Sequence, residues 1–226
     1  MAKTSKRNFS QSRSSNWWLW VIVGVLAIGV LIVGYGGLGV RHSASSDSTA
    51  AALHEPKLPK NGFTWNYRAY SIKTGRPAYL TRGSRVTVVM LMASWCLYCA
   101  YEDRYVWPAL IHTPGLQVNL IDVSTISGIG DPGPKTPPFS GHDNQGHAIG
   151  AVGMRQTMEK YVKKFHLTEP NVHVFVDPSG IKYWSLQDFP TIMVLNRQGQ
   201  LVKRFNGALT IAQARAYVQS IAKSSH

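Results

Sequence analysis

The chain contains two cysteines, Cys96 and Cys99, separated by only two residues. The apolar run at residues 86–92 predicts a buried strand that delivers both thiols to the start of a helix. At a helix start, free amides and the positive dipole end favour a thiolate, the form that attacks a disulfide. The spacing therefore predicts a redox-active pair, with Cys96 as the nucleophile and Cys99 as the resolving thiol.

Two other uses of such a cysteine pair fit the sequence less well. A structural disulfide that closes so short a loop restricts the unfolded chain little. A zinc site needs further ligands, and the chain has no second cysteine pair. The histidines that follow match no known metal-site spacing, and we expect them to be solvated rather than to bind metal: His142, His147, His166 and His173.

Residues 17–40 carry no charge and predict a transmembrane helix. At about 1.5 Å per residue they reach roughly 36 Å, more than the roughly 30 Å of a hydrocarbon core. Four basic residues precede this segment, so the positive-inside rule places residues 1–16 in the cytoplasm and the chain after Val40 outside. The alternative is a signal peptide cleaved near residues 43–45 or 50–52, although its apolar core would be unusually long.

This topology agrees with redox chemistry, because disulfides persist outside the cytoplasm. Residues 41–60 are small and polar, which predicts a flexible tether. Residues 61–226 have the length of a single domain with its own core.

The outer part of the chain is basic. After Val40, twenty Lys and Arg stand against eleven Asp and Glu, an excess of nine positive charges. Such an excess favours contact with anionic headgroups, cell-wall polymers or acidic partners, but a solvated basic surface is the preferred interpretation over a specific anion site. Nucleic acid is not an expected partner, because the basic residues are scattered and no recognition motif is present.

Hydrophobic periodicity predicts an α/β fold, one central mixed sheet with helices on both sides. A hairpin opens the domain, and a Gly- and Pro-rich loop spans residues 127–147. The predicted strands are residues 63–70, 78–80, 86–92, 116–123, 172–176, 191–195 and 201–205. The predicted helices are residues 96–106, 152–167 and 211–221.

Several motifs follow one another in order over residues 63–222. They are the leading hairpin, the Trp95-Cys96-x-x-Cys99 motif, the inserted crossover helix at residues 152–167, the Phe189-Pro190-Thr191 motif and the hairpin at Gly199. By these motifs the region resembles the thioredoxin fold, in the membrane-anchored TlpA/ResA-like branch. The resemblance implies that Pro190 is cis and stands beside the disulfide, and that the backbone of Phe189 binds substrate peptide. Trp95 is predicted to shield the thiols and contact substrate, with a simple core aromatic as the alternative.

The resemblance also implies a catalytic role for Glu102, where this branch has a glutamate near its active site. A carboxylate there would raise the pKa of a neighbouring thiol and pass on its proton, whereas the alternative is an exposed glutamate on a helix. Thioredoxins carry a buried acid six residues before the first cysteine, and Met90 occupies that position here. This leaves Glu102 or Asp103 as the candidate proton relay.

Together these features predict an anchored, extracytoplasmic thiol–disulfide oxidoreductase that uses the Cys96–Cys99 disulfide and no bound cofactor. By resemblance, its partners are exported thiol or disulfide proteins, apocytochrome c among them, and a membrane electron donor or acceptor. Leu97 and Tyr98 depart from the dipeptide of reducing relatives, so oxidation of secreted proteins is an alternative. A redox-silent binding module with this fold is a further alternative.

Overall fold

The computed structural model describes residues 62–136 and 140–223. In this part of the chain, no helix has both the length and the apolar character needed to cross a membrane. The predicted tail at residues 1–16, the transmembrane segment at 17–40 and the tether at 41–60 lie outside the described residues.

A mixed sheet of seven strands forms the centre of the described chain. The strand order is β2-β1-β5-β4-β3-β6-β7, in which β3, β4 and β5 are parallel and the two hairpins lie at the edges. This confirms the predicted central mixed sheet and its leading hairpin. The strands are β1 (Arg68–Ser71), β2 (Pro77–Tyr79), β3 (Val86–Met92), β4 (Leu116–Asp122), β5 (Val172–Val176), β6 (Thr191–Asn196) and β7 (Leu201–Asn206).

Helices cover both faces of this sheet, as predicted. Within the described ranges they are α1 (Leu97–Tyr101), α2 (Ala151–Phe165), α3 (Gly180–Trp184) and α4 (Ile211–Lys223). Helices α1, α2 and α4 pack against one face, whereas α3 and the segment at residues 63–67 cover the other. Helix α3 was not predicted, because five residues are too short to show helical periodicity.

Strand β3 holds the cysteine segment in place. All seven of its residues are buried, and it lies between β4 and β6. Alternate side chains enter the two apolar layers of the core, which is why the sequence is apolar throughout rather than alternating. The chain leaves this interior strand directly into residues 93–96, so the first thiol lies just beyond the carboxyl end of β3.

The helix that follows the cysteines is less regular than predicted. After α1 the chain forms a π-turn, Glu102–Val106, and then a 3₁₀ turn, Trp107–Ala109, which contains Pro108. The amide of Trp107 donates a hydrogen bond to the carbonyl of Glu102, five residues back. This wider spacing changes the direction of the side chains that follow Cys99, and π-turns of this kind are frequent at functional sites.

The Gly- and Pro-rich loop lies between β4 and α2 and folds back on itself. Ile126 forms an antiparallel bridge with Ala148, and Asp131 forms one with His142. The sequence predicts a loop without regular structure, whereas these two bridges show that its two halves pair with each other.

Candidate active site

Cys96 is the N-cap residue of α1, with an extended backbone (φ −78°, ψ 129°). Its Sγ accepts a hydrogen bond from the amide of Cys99 at 3.4 Å and lies 3.9 Å from the carbonyl oxygen of Phe189. Only 4% of the residue is exposed. Hydrogen bonding from the Cys99 thiol and from the amides of Cys99 and Tyr98 lowers the pKa of Cys96, although burial opposes this shift.

Cys99 has the opposite environment, one turn further into the helix. Its side chain is fully buried, and burial raises the pKa of Cys99 well above the usual value, as does the hydrogen bond that it gives to Cys96. Both cysteines are free thiols. The first proton lost from the pair therefore leaves Cys96, and the resulting thiolate is held by the thiol of Cys99.

Glu102 is fully buried rather than exposed on the helix surface. Its Oε1 accepts a hydrogen bond from the amide of Leu209, just before α4, and Oε2 has no partner among the described residues. Burial raises the pKa of Glu102 well above the usual value. Its carboxyl is directed to the start of α4, and its role in the chemistry of the thiols remains a prediction.

Asp103 is the buried acid that interacts electrostatically with the two thiols. Its Oδ2 accepts a hydrogen bond of 2.7 Å from the hydroxyl of Tyr161 on α2, and Oδ1 has no partner among the described residues. Burial raises the pKa of Asp103 to about 8, and repulsion from Cys96 contributes to the shift. Repulsion from Asp103 also contributes to the raised pKa of Cys99. The sequence identified Asp103 only as the alternative to Glu102.

The π-turn explains why two adjacent acids are both buried. On a regular helix, neighbouring side chains point about 100° apart, so one of the pair would usually face solvent. Here Glu102 is directed to the segment before α4, and Asp103 is directed to α2. The helix that carries the cysteines thus brings a carboxyl to Tyr161 without exposing its neighbour.

Trp95 and Phe189 lie together beside Cys96. Their rings are perpendicular, with centroids 6.0 Å apart. The indole of Trp95 donates a hydrogen bond of 2.8 Å to the hydroxyl of Ser124, and the amide of Ser124 bonds the buried carboxyl of Asp122. The structure therefore places all the predicted substrate-contact residues around the first thiol.

The peptide bond between Phe189 and Pro190 is cis, which confirms the prediction made from the resemblance. It lies just before β6, the neighbour of β3 in the sheet. The carbonyl of Phe189 faces Cys96 from this side, whereas the amides of α1 face it from the other.

The long loop covers the backbone around the cysteines. The amide of Gly130 bonds the carbonyl of Ser94 at 2.9 Å, and the amide of Asn144 bonds the carbonyl of Trp95 at 2.9 Å. Asp143 Oδ1 accepts a hydrogen bond of 2.8 Å from the amide of Leu97. No pattern in the sequence predicts this contact, because 46 residues separate the two partners.

An apolar hollow of about 160 Å³ adjoins the site on the side of Tyr98, whose side chain is about half exposed. The hollow is lined by Leu97, Tyr98, Tyr101, Pro132, Ala208, Leu209 and Thr210.

No group of three or more metal-ligating side chains occurs in the described ranges.

Comparison with known proteins supports the fold. No family model and no curated protein matches the chain. Among solved structures, an uncharacterized conserved protein from Geobacillus kaustophilus is 13% identical, with a TM-score of 0.50 over 76% of this chain and 85% of that one. StoA from Bacillus subtilis is 17% identical, with a TM-score of 0.43 over 67% of this chain and 94% of that one.

A secreted Mycobacterium tuberculosis disulfide oxidoreductase homologous to E. coli DsbE is 14% identical, with a TM-score of 0.46 over 68% of this chain and 95% of that one. At such identities the similarity concerns the fold alone. The strand order, the cysteine pair at the start of α1 and the cis-proline beside it define a thioredoxin-like α/β protein with a dithiol site.

Proposed function

We propose that the protein is a thiol–disulfide oxidoreductase that exchanges disulfides with other proteins through Cys96 and Cys99. The observation that carries this proposal is the opposed environment of the two sulfurs. Cys96 is at the helix start with a lowered pKa, and Cys99 is buried beneath it with a raised pKa. A structural cysteine pair has no need for one thiol that ionises readily and a second that keeps its proton.

In the reducing direction, the Cys96 thiolate attacks one sulfur of a substrate disulfide. A Cys96–substrate disulfide forms, and the other substrate sulfur leaves as a thiolate that takes a proton from water. Cys99 then loses its proton and attacks Cys96 Sγ. The Cys96–Cys99 disulfide forms, the second substrate sulfur leaves, and two electrons have passed from the dithiol to the substrate.

Asp103 is the proposed acceptor of the Cys99 proton. A carboxyl with a pKa of about 8 gains and loses protons near neutral pH, so it can take this proton and return it in the reverse reaction. The hydroxyl of Tyr161 donates to Oδ2 and stabilises the ionised carboxyl. Water is excluded from this exchange, because Cys99, Asp103 and Tyr161 are fully buried.

The experiment that tests this function is the trapping of mixed disulfides. Reduced Cys99→Ser is expected to accumulate a covalent adduct with a disulfide-linked model peptide, because its nucleophile is intact and its resolving thiol is absent. Cys96→Ser, in which the remaining thiol is buried, serves as the matched control and should form no adduct. The adducts are counted by non-reducing mass spectrometry. Equal trapping by both variants, or by neither, contradicts the assignment.

We further propose that the enzyme is anchored in the cell membrane with its thioredoxin-like domain outside the cytoplasm. The uncharged segment at residues 17–40 and the basic residues before it support this topology. Exported thiol proteins, apocytochrome c among them, are the proposed substrates, and a membrane protein is the proposed electron donor. No bound cofactor is proposed, because the dithiol itself carries the electrons.

The direction of electron flow is tested by the reduction potential of the Cys96–Cys99 pair. For the proposed reductant we expect a value well below about −200 mV, measured by equilibration with glutathione or dithiothreitol. A value near −120 mV would instead assign the protein to the oxidation of secreted proteins.

A further inference from the structure

We propose that Asp143, carried by the long loop between β4 and α2, restrains the ionisation of Cys96 to its thiolate by holding a negative charge at the start of α1. This proposal rests on the proposed function of Cys96 as the nucleophile. It assigns to the loop a residue that acts on the first thiol from the end of α1.

The carboxylate of Asp143 and the sulfur of Cys96 both accept hydrogen bonds from backbone amides in the first turn of α1. Asp143 Oδ1 accepts from the amide of Leu97 at 2.8 Å, and Cys96 Sγ accepts from the amide of Cys99 at 3.4 Å. Leu97 is the first residue of α1, so its amide has no partner within the helix. Both anions are attracted by the same positive dipole end, and each opposes the presence of the other.

The loop holds this carboxylate in place. The next residue, Asn144, donates its amide to Trp95 and its side-chain Nδ2 to the carbonyl of Ile129 at 3.3 Å. The preceding residue, His142, is paired with Asp131 across the loop by two backbone hydrogen bonds of 3.0 Å. Asp143 is therefore anchored on both sides and is directed to the helix by backbone contacts.

Among the described residues, four ionisable groups interact with Cys96 or with its partner thiol. Cys99 lies on α1, Asp103 on the π-turn, Tyr161 on α2 and Asp143 on the loop, and Phe189, just before β6, presents a neutral carbonyl to Cys96. Cys99, Asp103 and Tyr161 are buried, and Asp143 is exposed. The charge of Asp143 raises the pKa of Cys96, against the hydrogen bonds that lower it.

Two effects on the redox chemistry follow. A weaker preference for the thiolate lowers the ionised fraction of Cys96 in the resting, reduced protein. It also destabilises the reduced form relative to the disulfide, which makes the pair a stronger reductant at pH values where Cys96 is ionised. Asp143 thus lowers the reduction potential of the Cys96–Cys99 pair and makes the pair less oxidising.

The test is Asp143→Asn, which removes the charge but retains an oxygen that can accept from Leu97. We expect the ionised fraction of Cys96, at a pH below its midpoint, to rise about two- to fivefold, as for other single charges at helix ends. The measurement is the pH profile of Cys96 alkylation in the reduced, full-length protein, read by mass spectrometry. At pH values above that midpoint, the same fold-change corresponds to a reduction potential about 9 to 21 mV higher than that of the wild type, at 29.6 mV per tenfold.

Asp131→Asn is the matched control, because it removes a carboxylate of the same loop that accepts a hydrogen bond of 3.0 Å from the nearby amide of Gly133 rather than from α1. We expect no change of the Cys96 midpoint in this variant. An unchanged or raised midpoint in Asp143→Asn overturns the proposal, as does an equal shift in both variants. If Cys96→Ser still abolishes exchange in that case, the proposed function stands; if Cys96 fails to react in every variant, the proposed function itself fails.

Discussion

Cys96→Ser is expected to lower the rate of protein disulfide reduction by a factor of about a thousand or more. Serine has no thiol that could ionise and attack a disulfide, and the remaining thiol of Cys99 is fully buried with a raised pKa. The rate is measured as the reduction of a disulfide-linked protein in the presence of dithiothreitol, after subtraction of the uncatalysed reaction. The fold should persist, because the exchange of one sulfur for an oxygen removes little packing volume.

Cys99→Ser provides the contrast for this loss. It retains the nucleophile at the helix start, so it should complete one attack for each molecule of enzyme and then stop at the mixed disulfide. Both variants fail to turn over, but only Cys99→Ser gives an initial burst of released thiol. If Cys96→Ser retains a tenth or more of the wild-type turnover, Cys96 is not the nucleophile.

Asp103→Asn is expected to change the pH dependence of stability of the reduced protein. An aspartate in an unfolded chain has a pKa of about 3.9, whereas burial raises the pKa of Asp103 to about 8 in the folded protein. Between these values the unfolded state releases the proton and the folded state retains it. The stabilisation from protonated Asp103 is therefore complete below about pH 4 and is lost as the pH rises to about 8.

The size of this effect follows from linkage. The free energy of unfolding of the wild type, relative to Asp103→Asn, should fall by about 1.4 kcal/mol for each pH unit in this window. Between about pH 4.5 and 7.5 the difference amounts to about 4 kcal/mol, measured by denaturant unfolding at each pH. A difference that does not vary with pH would show that Asp103 ionises as freely in the folded protein as in the unfolded chain.

The same variant also tests the role of Asp103 in proton transfer. Without a carboxyl to accept its proton, Cys99 attacks the mixed disulfide more slowly, and we expect turnover to fall by about a hundredfold, the usual scale of general base catalysis. The mixed disulfide should then accumulate although both cysteines are present. A purely structural role for Asp103 would change stability and leave this intermediate unpopulated.

Tyr161→Phe is the matched variant for the pair. It removes the hydroxyl that donates to Asp103 Oδ2 and leaves the carboxyl in place. Because that hydrogen bond lowers the pKa of Asp103, its loss should extend the pH window of declining stability to higher pH. This result separates the effect of the donor from that of the acid.

The sequence predicted those elements whose burial follows a simple repeat. Strand β3 agrees with the apolar run at residues 86–92, because an interior strand covered on both faces has no polar side, and β5 agrees with the predicted strand at residues 172–176. Helix α2 agrees closely with its predicted range, since its buried side chains recur at helical spacing. The thiol pair, the cis-proline and the tryptophan lie together because these elements position them.

The parts that the sequence did not predict depend on contacts between distant residues or on irregular backbone. Asp103 and Glu102 are neighbours in sequence, and only the π-turn directs them to different elements. Asp143 reaches Leu97 through a loop whose own sequence has no regular pattern. Helix α3 has too few residues for periodicity to reveal it.

The most direct test of the central claim is differential alkylation of the two sulfurs in the folded, reduced protein. Iodoacetamide labelling at pH 7, read by peptide mass spectrometry, should modify Cys96 and leave Cys99 unmodified until denaturant is added. This follows from the lowered pKa of Cys96 and the complete burial of Cys99. Two inert sulfurs, or modification of Cys99 as fast as Cys96, would contradict the account.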